Sequence, residues 1–279
     1  MPYKNIAVIG AGNIGAPIAK ALVSEGANVI VVTRPESSSA KSLPSGVKPV
    51  AVELTDVPAL AAAFKEHEIE VVISTVALQG LPRQKLLGDA AKQAGVKLFV
   101  ASEFGFSTVG QTEGEFGLKA EFGEYLKEIG MPFVRIFNGL FITYIPWATC
   151  IDTGKFKISG GRGDTKASFT NPDDVAGFTA YIVTRLSPSE LTNKIFRIEG
   201  EHASMLDIAG YYDSLPVEYV NGFDDGFKTA LQGVINTGKG SVAYDITSGK
   251  ELTGSDAAGA SNVLWPGHRW KGIKETLGL

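Results

Sequence analysis

Apolar and polar positions fall into alternating blocks through the first half of the chain. Short, almost wholly apolar runs are separated by stretches with helical spacing. Runs at 5–9, 28–33, 47–52, 71–75, 97–101 and 133–137 predict six strands. Between them, 14–24, 59–66, 84–94 and 115–129 place apolar residues at i, i+3 and i+4, the mark of amphipathic helices. Gly95 and Gly130 follow the last two of these helices and predict their ends. Strands with no polar alternation are covered on both faces. Their regular exchange with helices predicts an α/β fold, a Rossmann-type doubly wound parallel sheet.

The first run leads directly into Gly10-Ala11-Gly12-Asn13-Ile14-Gly15, a G-x-G-x-x-G between a buried-type strand and a helix. Dinucleotide binding is the expectation. Gly10 suits the tight turn, Gly12 leaves room for a pyrophosphate, and Gly15 lets helix and strand approach. The phosphates would rest on the exposed amides near Asn13 and Ile14.

Beyond Asn138 the periodicity loosens. Residues 159–164 (Ser-Gly-Gly-Arg-Gly-Asp) read as a surface loop. The stretch Thr170-Asn171-Pro172-Asp173-Asp174 carries cap and proline chemistry for a helix from about residue 173 to 186, with the two aspartates read as capping groups. Residues 195–199 predict a further strand, added to the sheet. The expected organisation is a nucleotide-binding domain over 1–150, with 168–200 returning to it. A smaller α/β substrate lobe, mainly over 151–279, would close over the cofactor.

Composition changes this picture little. The 26 basic and 30 acidic residues give a net charge of −4, with no block of like charge to suggest nucleic acid or an anionic membrane. No apolar run reaches membrane-spanning length, and the start of the chain runs straight into the first strand without the layout of a signal peptide. A cytoplasmic protein, monomer or homodimer, is the expectation. The single cysteine, Cys150, excludes an internal disulfide and sits in an apolar stretch, so an inert buried thiol is expected. The histidines, His67, His202 and His268, lack metal-ligand spacing, and no G-x-S-x-G is present.

The end of the second strand distinguishes the two dinucleotides. An NAD-binding fold places a carboxylate there for the ribose hydroxyls; this chain has Thr33-Arg34-Pro35. The Arg34 guanidinium can fork onto a 2′-phosphate, and Ser37, Ser38 and Lys41 follow with further donors. NADP is favoured. Thr75, closing the fourth strand, joins the expected cofactor contacts.

At Phe99-Val100-Ala101-Ser102-Glu103-Phe104-Gly105 the chain resembles the NmrA-like and isoflavone reductase-like proteins. These include phenylcoumaran benzylic ether and pinoresinol-lariciresinol reductases, among the atypical short-chain dehydrogenases. Thr33-Arg34-Pro35, Val72-Ile73-Ser74 and Asn138-Gly139-Leu140-Phe141 with Tyr144 are similar to other segments of that family. The resemblance is strongest over 1–145 and faint between 200 and 260. It implies an NADPH-dependent reductase of a small aromatic substrate, phenylpropanoid-like or polyketide-like. It implies that Ser102 contacts the cofactor; among the residues themselves, Phe104 is an expected substrate contact, and Phe141 and Tyr144, clustered with Phe137, Ile145 and Trp147, would either line a pocket for a flat aromatic substrate or belong to the core. Lys119 falls at the family's catalytic lysine and would act as general acid/base while also holding the nicotinamide ribose.

The position one turn before Lys119 is Glu115, so the phenol of ordinary short-chain dehydrogenases is missing, as in the plant reductases. A lysine working near neutral pH needs a depressed pKa, and Phe104, Phe106, Phe116 and Phe122 are candidates for the apolar surroundings. One turn after Lys119, where the plant enzymes commonly carry a basic residue, this chain has Gly123. The alternative is an NmrA-type redox sensor that binds NAD(P) without turnover; a quinone- or epoxide-type activity is a third reading.

Overall fold

The computed structural model describes residues 2–35, 37 and 43–279. Six strands alternate with four helices as far as residue 137: β1 Asn5–Ile9, α1 Gly15–Ser24, β2 Asn28–Thr33, β3 Val47–Ala51, α2 Val57–Glu66, β4 Val71–Ser74, α3 Gln84–Ala94, β5 Leu98–Val100, α4 Gly114–Glu128 and β6 Phe133–Phe137. The remainder comprises β7 Leu140–Phe141, α5 Ile145–Ala148, β8 Phe156–Ser159, β9 Lys166–Thr170, α6 Pro172–Arg185, α7 Pro188–Leu191, β10 Lys194–Arg197, β11 Glu201–Ser204, α8 Met205–Ala209, β12 Val217–Val220 and α9 Gly226–Asn236, with shorter elements beyond.

The seven-stranded central sheet has the order β10-β6-β5-β4-β1-β2-β3. Strands β1 to β6 pair in parallel, with Ile6 beside both Val29 and Val71. This is the doubly wound arrangement, and the order reverses at β1 and β4, where such folds bind ligands beyond the strand ends. The runs without polar alternation in β1, β4, β5 and β6 are buried almost throughout, because helices cover both sheet faces. β3 is the exception. It is an edge strand, mostly exposed, and tolerates Pro49 because an edge leaves one side of the strand unpaired.

The chain divides into two compact units. The first comprises Met1–Glu103, Gly110–Ile136 and Val175–Phe196, the second Phe104–Val109, Phe137–Asp174 and Arg197–Leu279. A core of the first unit joins Ile9, Phe64, Val72, Phe99 and Phe122, all at most 1 % exposed, and the Phe99 and Phe122 rings meet edge to face at 5.4 Å. The second unit holds a three-stranded sheet, β11-β9-β7, and a β12–β8 pair.

Two local readings change. Asn171, not either aspartate, caps α6: its Oδ1 accepts from the amides of Asp173 at 2.7 Å and Asp174 at 3.3 Å. The buried Asp174 carboxylate is thereby free to take the Lys271 amide at 2.8 Å and His268 Nε2 at 3.0 Å, tying down the C-terminal segment. Cys150 is half-buried rather than buried. Its backbone is left-handed, with φ of 53°, and its Sγ lies 3.1 Å from the Lys228 ammonium.

Candidate functional site

The glycine turn is shaped by contacts that differ from one glycine to the next. Gly10 has φ of 94°, a left-handed conformation that favours glycine. A Cβ at Gly15 would stand 2.4 Å from the Gly10 carbonyl oxygen and 2.5 Å from Thr75 Oγ1, so helix and strand meet without room for a methyl group. A Cβ at Gly12 would meet nothing within 4 Å. It faces open space: Gly10, Ala11 and Gly12 form one wall of a cavity of about 280 Å³. Helix α1 begins at this wall with no acidic residue in its first turn, leaving its positive end uncompensated.

These contacts separate packing from access. Gly15→Ala is expected to cost about 1–3 kcal/mol of stability, because backbone must shift. Gly12→Ala should leave the melting temperature near that of the parent and weaken dinucleotide binding, read by thermal melts and equilibrium titration of both variants.

The other cavity walls come from the ends of β2 and β4 and the segment after β4. Val32, Thr33, Arg34 and Ser37 line one side, Leu54 adds an apolar patch, and Thr75, Val76, Ala77, Gln79 and Arg83 complete it. Thr75 Oγ1 donates to the Ile9 carbonyl at 2.9 Å, so this hydroxyl ties β4 to β1. Asn13 is exposed and Ile14 half-buried, immediately ahead of the helix and outside the lined cavity. Ser38 and Lys41 lie outside the described residues. Arg83 is a second arginine lining the cavity, and nothing in its local sequence distinguishes it from a solvated helix-flanking arginine.

From the cavity wall a short chain of hydrogen bonds leads to Lys119. Ser102 Oγ donates to the carbonyl of Val76 at 3.0 Å, and its amide donates to the Gln84 side chain at 3.1 Å. The next carbonyl, that of Glu103, accepts from Lys119 Nζ at 2.7 Å. The Glu103 carboxylate turns the other way and takes Arg135 Nε at 2.7 Å, both side chains being at most 5 % exposed. Lys119 as a residue is half-buried, but its ammonium end is desolvated, and this burial holds its pKa below the ordinary lysine value of 10.5. The carboxylates of Glu103 and Glu115 oppose the shift, and the Arg135 cation reinforces it.

The aromatic residues fall into separate places. Phe122 packs in the core against Phe99, while Phe106 is buried and Phe116 half-buried. Phe104 sits in the turn after β5 with φ of 35°, a conformation costing a non-glycine residue about 1–2 kcal/mol. In the second unit Phe141, Tyr144, Trp147 and Phe227 form a row, with successive ring centroids 5.9, 6.4 and 6.0 Å apart. Trp147 and Phe227 are 39 % and 53 % exposed. The Lys228 ammonium lies 5.0 Å from the Trp147 ring centre and 5.5 Å from that of Phe223. The ring from α9 has no counterpart among the aromatic residues expected from the sequence: helical spacing of Phe227, Leu231 and Ile235 marks a helix but not its distant partner. His268 stacks on Trp265 at 3.6 Å and bonds Asp174, an anchoring role.

A parallel doubly wound sheet whose first strand turns through a glycine cradle onto a helix start defines a dinucleotide-binding α/β protein. Within that class, the chain belongs to the NmrA-like family, whose model matches residues 2–221. It is 29 % identical over 225 residues to a probable pinoresinol-lariciresinol reductase of Arabidopsis thaliana, covering 75 % of this chain and 72 % of that protein. It is 25 % identical over 221 residues to the oxidoreductase BOA1 of Botryotinia fuckeliana, covering 71 % of each. The binary complex of leucoanthocyanidin reductase with NADPH from Vitis vinifera superposes with a TM-score of 0.80 over 98 % of both chains at 24 % identity, which shows the shared fold.

Proposed function

We propose that the protein is an NADPH-dependent reductase of a small aromatic substrate, with Lys119 as its general acid/base. The observation that carries this reading is the seat of the Lys119 ammonium, 2.7 Å from the Glu103 carbonyl. That carbonyl is one residue beyond the Ser102 hydroxyl that holds Val76 in the cavity wall.

The cavity fits a dinucleotide phosphate on its own features: open space over Gly12, an uncompensated helix start, and guanidinium groups at Arg34 and Arg83. Gly10, Gly12, Asn13, Ile14 and Gly15 would hold the pyrophosphate, with Thr75 and Ser102 supporting the adjoining walls and Arg34 taking the 2′-phosphate. Bound NADPH supplies the hydride. The chain's own part is to orient the substrate and to hold or deliver a proton at the oxygen beside the reacting carbon, through Lys119 Nζ. Phe104, Phe141 and Tyr144 supply aromatic surface, and the ring row from Phe141 to Phe227 has the spacing on which flat substrates stack.

The decisive assay is NADPH oxidation with a panel of aromatic enones, carbonyls and benzylic ethers, in the parent and in Lys119→Ala. Turnover that survives the substitution would remove the catalytic assignment. Tight NADP binding with no turnover on any compound would favour the NmrA-type sensor instead. The cofactor reading has its own test. Arg34→Ala is expected to reduce the preference for NADP over NAD by roughly 10–100-fold, the value of a charge-assisted forked contact. Equal affinity of the parent for both dinucleotides in equilibrium titration would rule that reading out.

A further inference from the structure

Helix α4 carries Lys119 on one turn and Gly123 on the next. Gly123 is buried, and a Cβ built there would lie 3.4 Å from each of Arg135 Cδ, Nε and Cζ. The guanidinium of Arg135, reaching in from β6, therefore fills the place a side chain at 123 would take. From there its Nε bonds the Glu103 carboxylate, and Glu103 presents its carbonyl to Lys119. Arg135 and Lys119 are thus two cations attached to opposite ends of one residue. The backbone at that residue is tightly drawn, for the Glu103 amide donates to Ala101 O at 2.8 Å and the following Phe104 is left-handed.

We propose that Arg135 is a positioning residue for Lys119: seated in the gap at Gly123, it holds the Glu103 carboxylate so that the carbonyl of the same residue seats the Lys119 ammonium. This deepens the acid/base reading of Lys119 and rests on it. The pair also reaches the ammonium through charge, Glu103 favouring the protonated form and Arg135 the neutral one. The charged groups facing Lys119 are Glu103 from the turn after β5, Glu115 from its own helix, and Arg135 from β6. Neutralising Glu103 removes an anion and leaves the cation, so the lysine should become more acidic. Neutralising Arg135 in that background should return it toward the ordinary value.

The test is a pH titration of Lys119 by carbon-13 NMR in protein labelled at lysine Cε, without cofactor, the resonance being assigned by its loss in Lys119→Met. Glu103→Gln is expected to lower the midpoint. Glu103→Gln/Arg135→Met should raise it above that of the single variant by on the order of one pH unit. Glu103→Gln/Arg135→Gln keeps polar contact between the two positions and serves if the methionine version folds poorly. Arg135→Lys, which keeps the charge, should stay close to the parent. Coincident midpoints in Glu103→Gln and both double variants would overturn the proposal. If the midpoints move as stated but kcat/KM of the parent shows no limb at the Lys119 midpoint, the positioning holds and the catalytic role of Lys119 falls instead.

Discussion

Lys119→Met is expected to lower kcat by about 10²–10⁴-fold, the range for loss of a positioned acid/base. NADP affinity should change far less, since the phosphate contacts proposed for Gly10 to Gly15 and Arg34 are untouched. Methionine keeps most of the apolar stem and removes only the proton-carrying end. The pH dependence follows from the direction of the lysine's shift. Burial lowers the Lys119 pKa below 10.5, so the neutral amine is reached at lower pH in the folded protein than in the unfolded chain. Where the lysine must donate a proton, kcat/KM falls as pH rises through that folded midpoint; where it must accept one, kcat/KM rises there. The stability linkage has one sign in both cases. Unfolding takes up a proton between the folded midpoint and 10.5, so this group's contribution to stability grows with pH across that window. The cost of burying the ammonium is fully present below the folded midpoint. Pre-steady-state and steady-state rates of both proteins across pH check the first claim. An unchanged kcat in a folded Lys119→Met variant would contradict it.

The second large effect is on stability. Arg135→Met leaves the Glu103 carboxylate buried without its ion-pair partner, and removal of one member of such a pair costs about 3–5 kcal/mol. At about 2–4 °C per kcal/mol for a chain of this class, the melting temperature should fall by roughly 6–20 °C. Neutralising both members as Glu103→Gln/Arg135→Met should recover much of the loss, because an apolar or amide replacement escapes the desolvation penalty. A pair worth only what an exposed ion pair is worth would show a drop of a degree or two in the single variant. Lys85–Glu121, with both side chains well exposed at 2.6 Å, is the internal control, and its removal should cost less than about 1 kcal/mol. Urea unfolding of the set distinguishes these outcomes.

Much of the first unit was legible in the chain. Helix α3 and strand β6 have the bounds that periodicity and Gly95 predict, and α1, α4 and β10 differ by a residue or two at their ends. Such elements are local: a strand buried on both faces must be apolar throughout, and an amphipathic helix must repeat its apolar positions. The glycine turn was legible for the same reason, since Gly10 needs a left-handed backbone and Gly15 clears the Gly10 carbonyl, although Thr75 from β4 also closes on both. Reading faltered where a polar group serves a distant partner. Asp174 looked like a cap, yet its carboxylate holds His268, 94 residues away, once Asn171 takes the capping task. The ring of Phe227 joins that of Trp147, and although Phe227, Leu231 and Ile235 repeat at helical spacing, that local pattern does not name the distant ring it meets.

By itself the sequence determined the doubly wound sheet, the glycine cradle and the arginine at the end of β2, because each depends on periodicity and backbone freedom over a few residues. Only the tertiary structure decided what surrounds Lys119. The Glu103–Arg135 pair spans 32 residues, and the gap that admits it is a glycine on a third segment. A buried charge needs its partner at hydrogen-bond distance, and that distance is set by how strands and helices pack, not by their spacing along the chain.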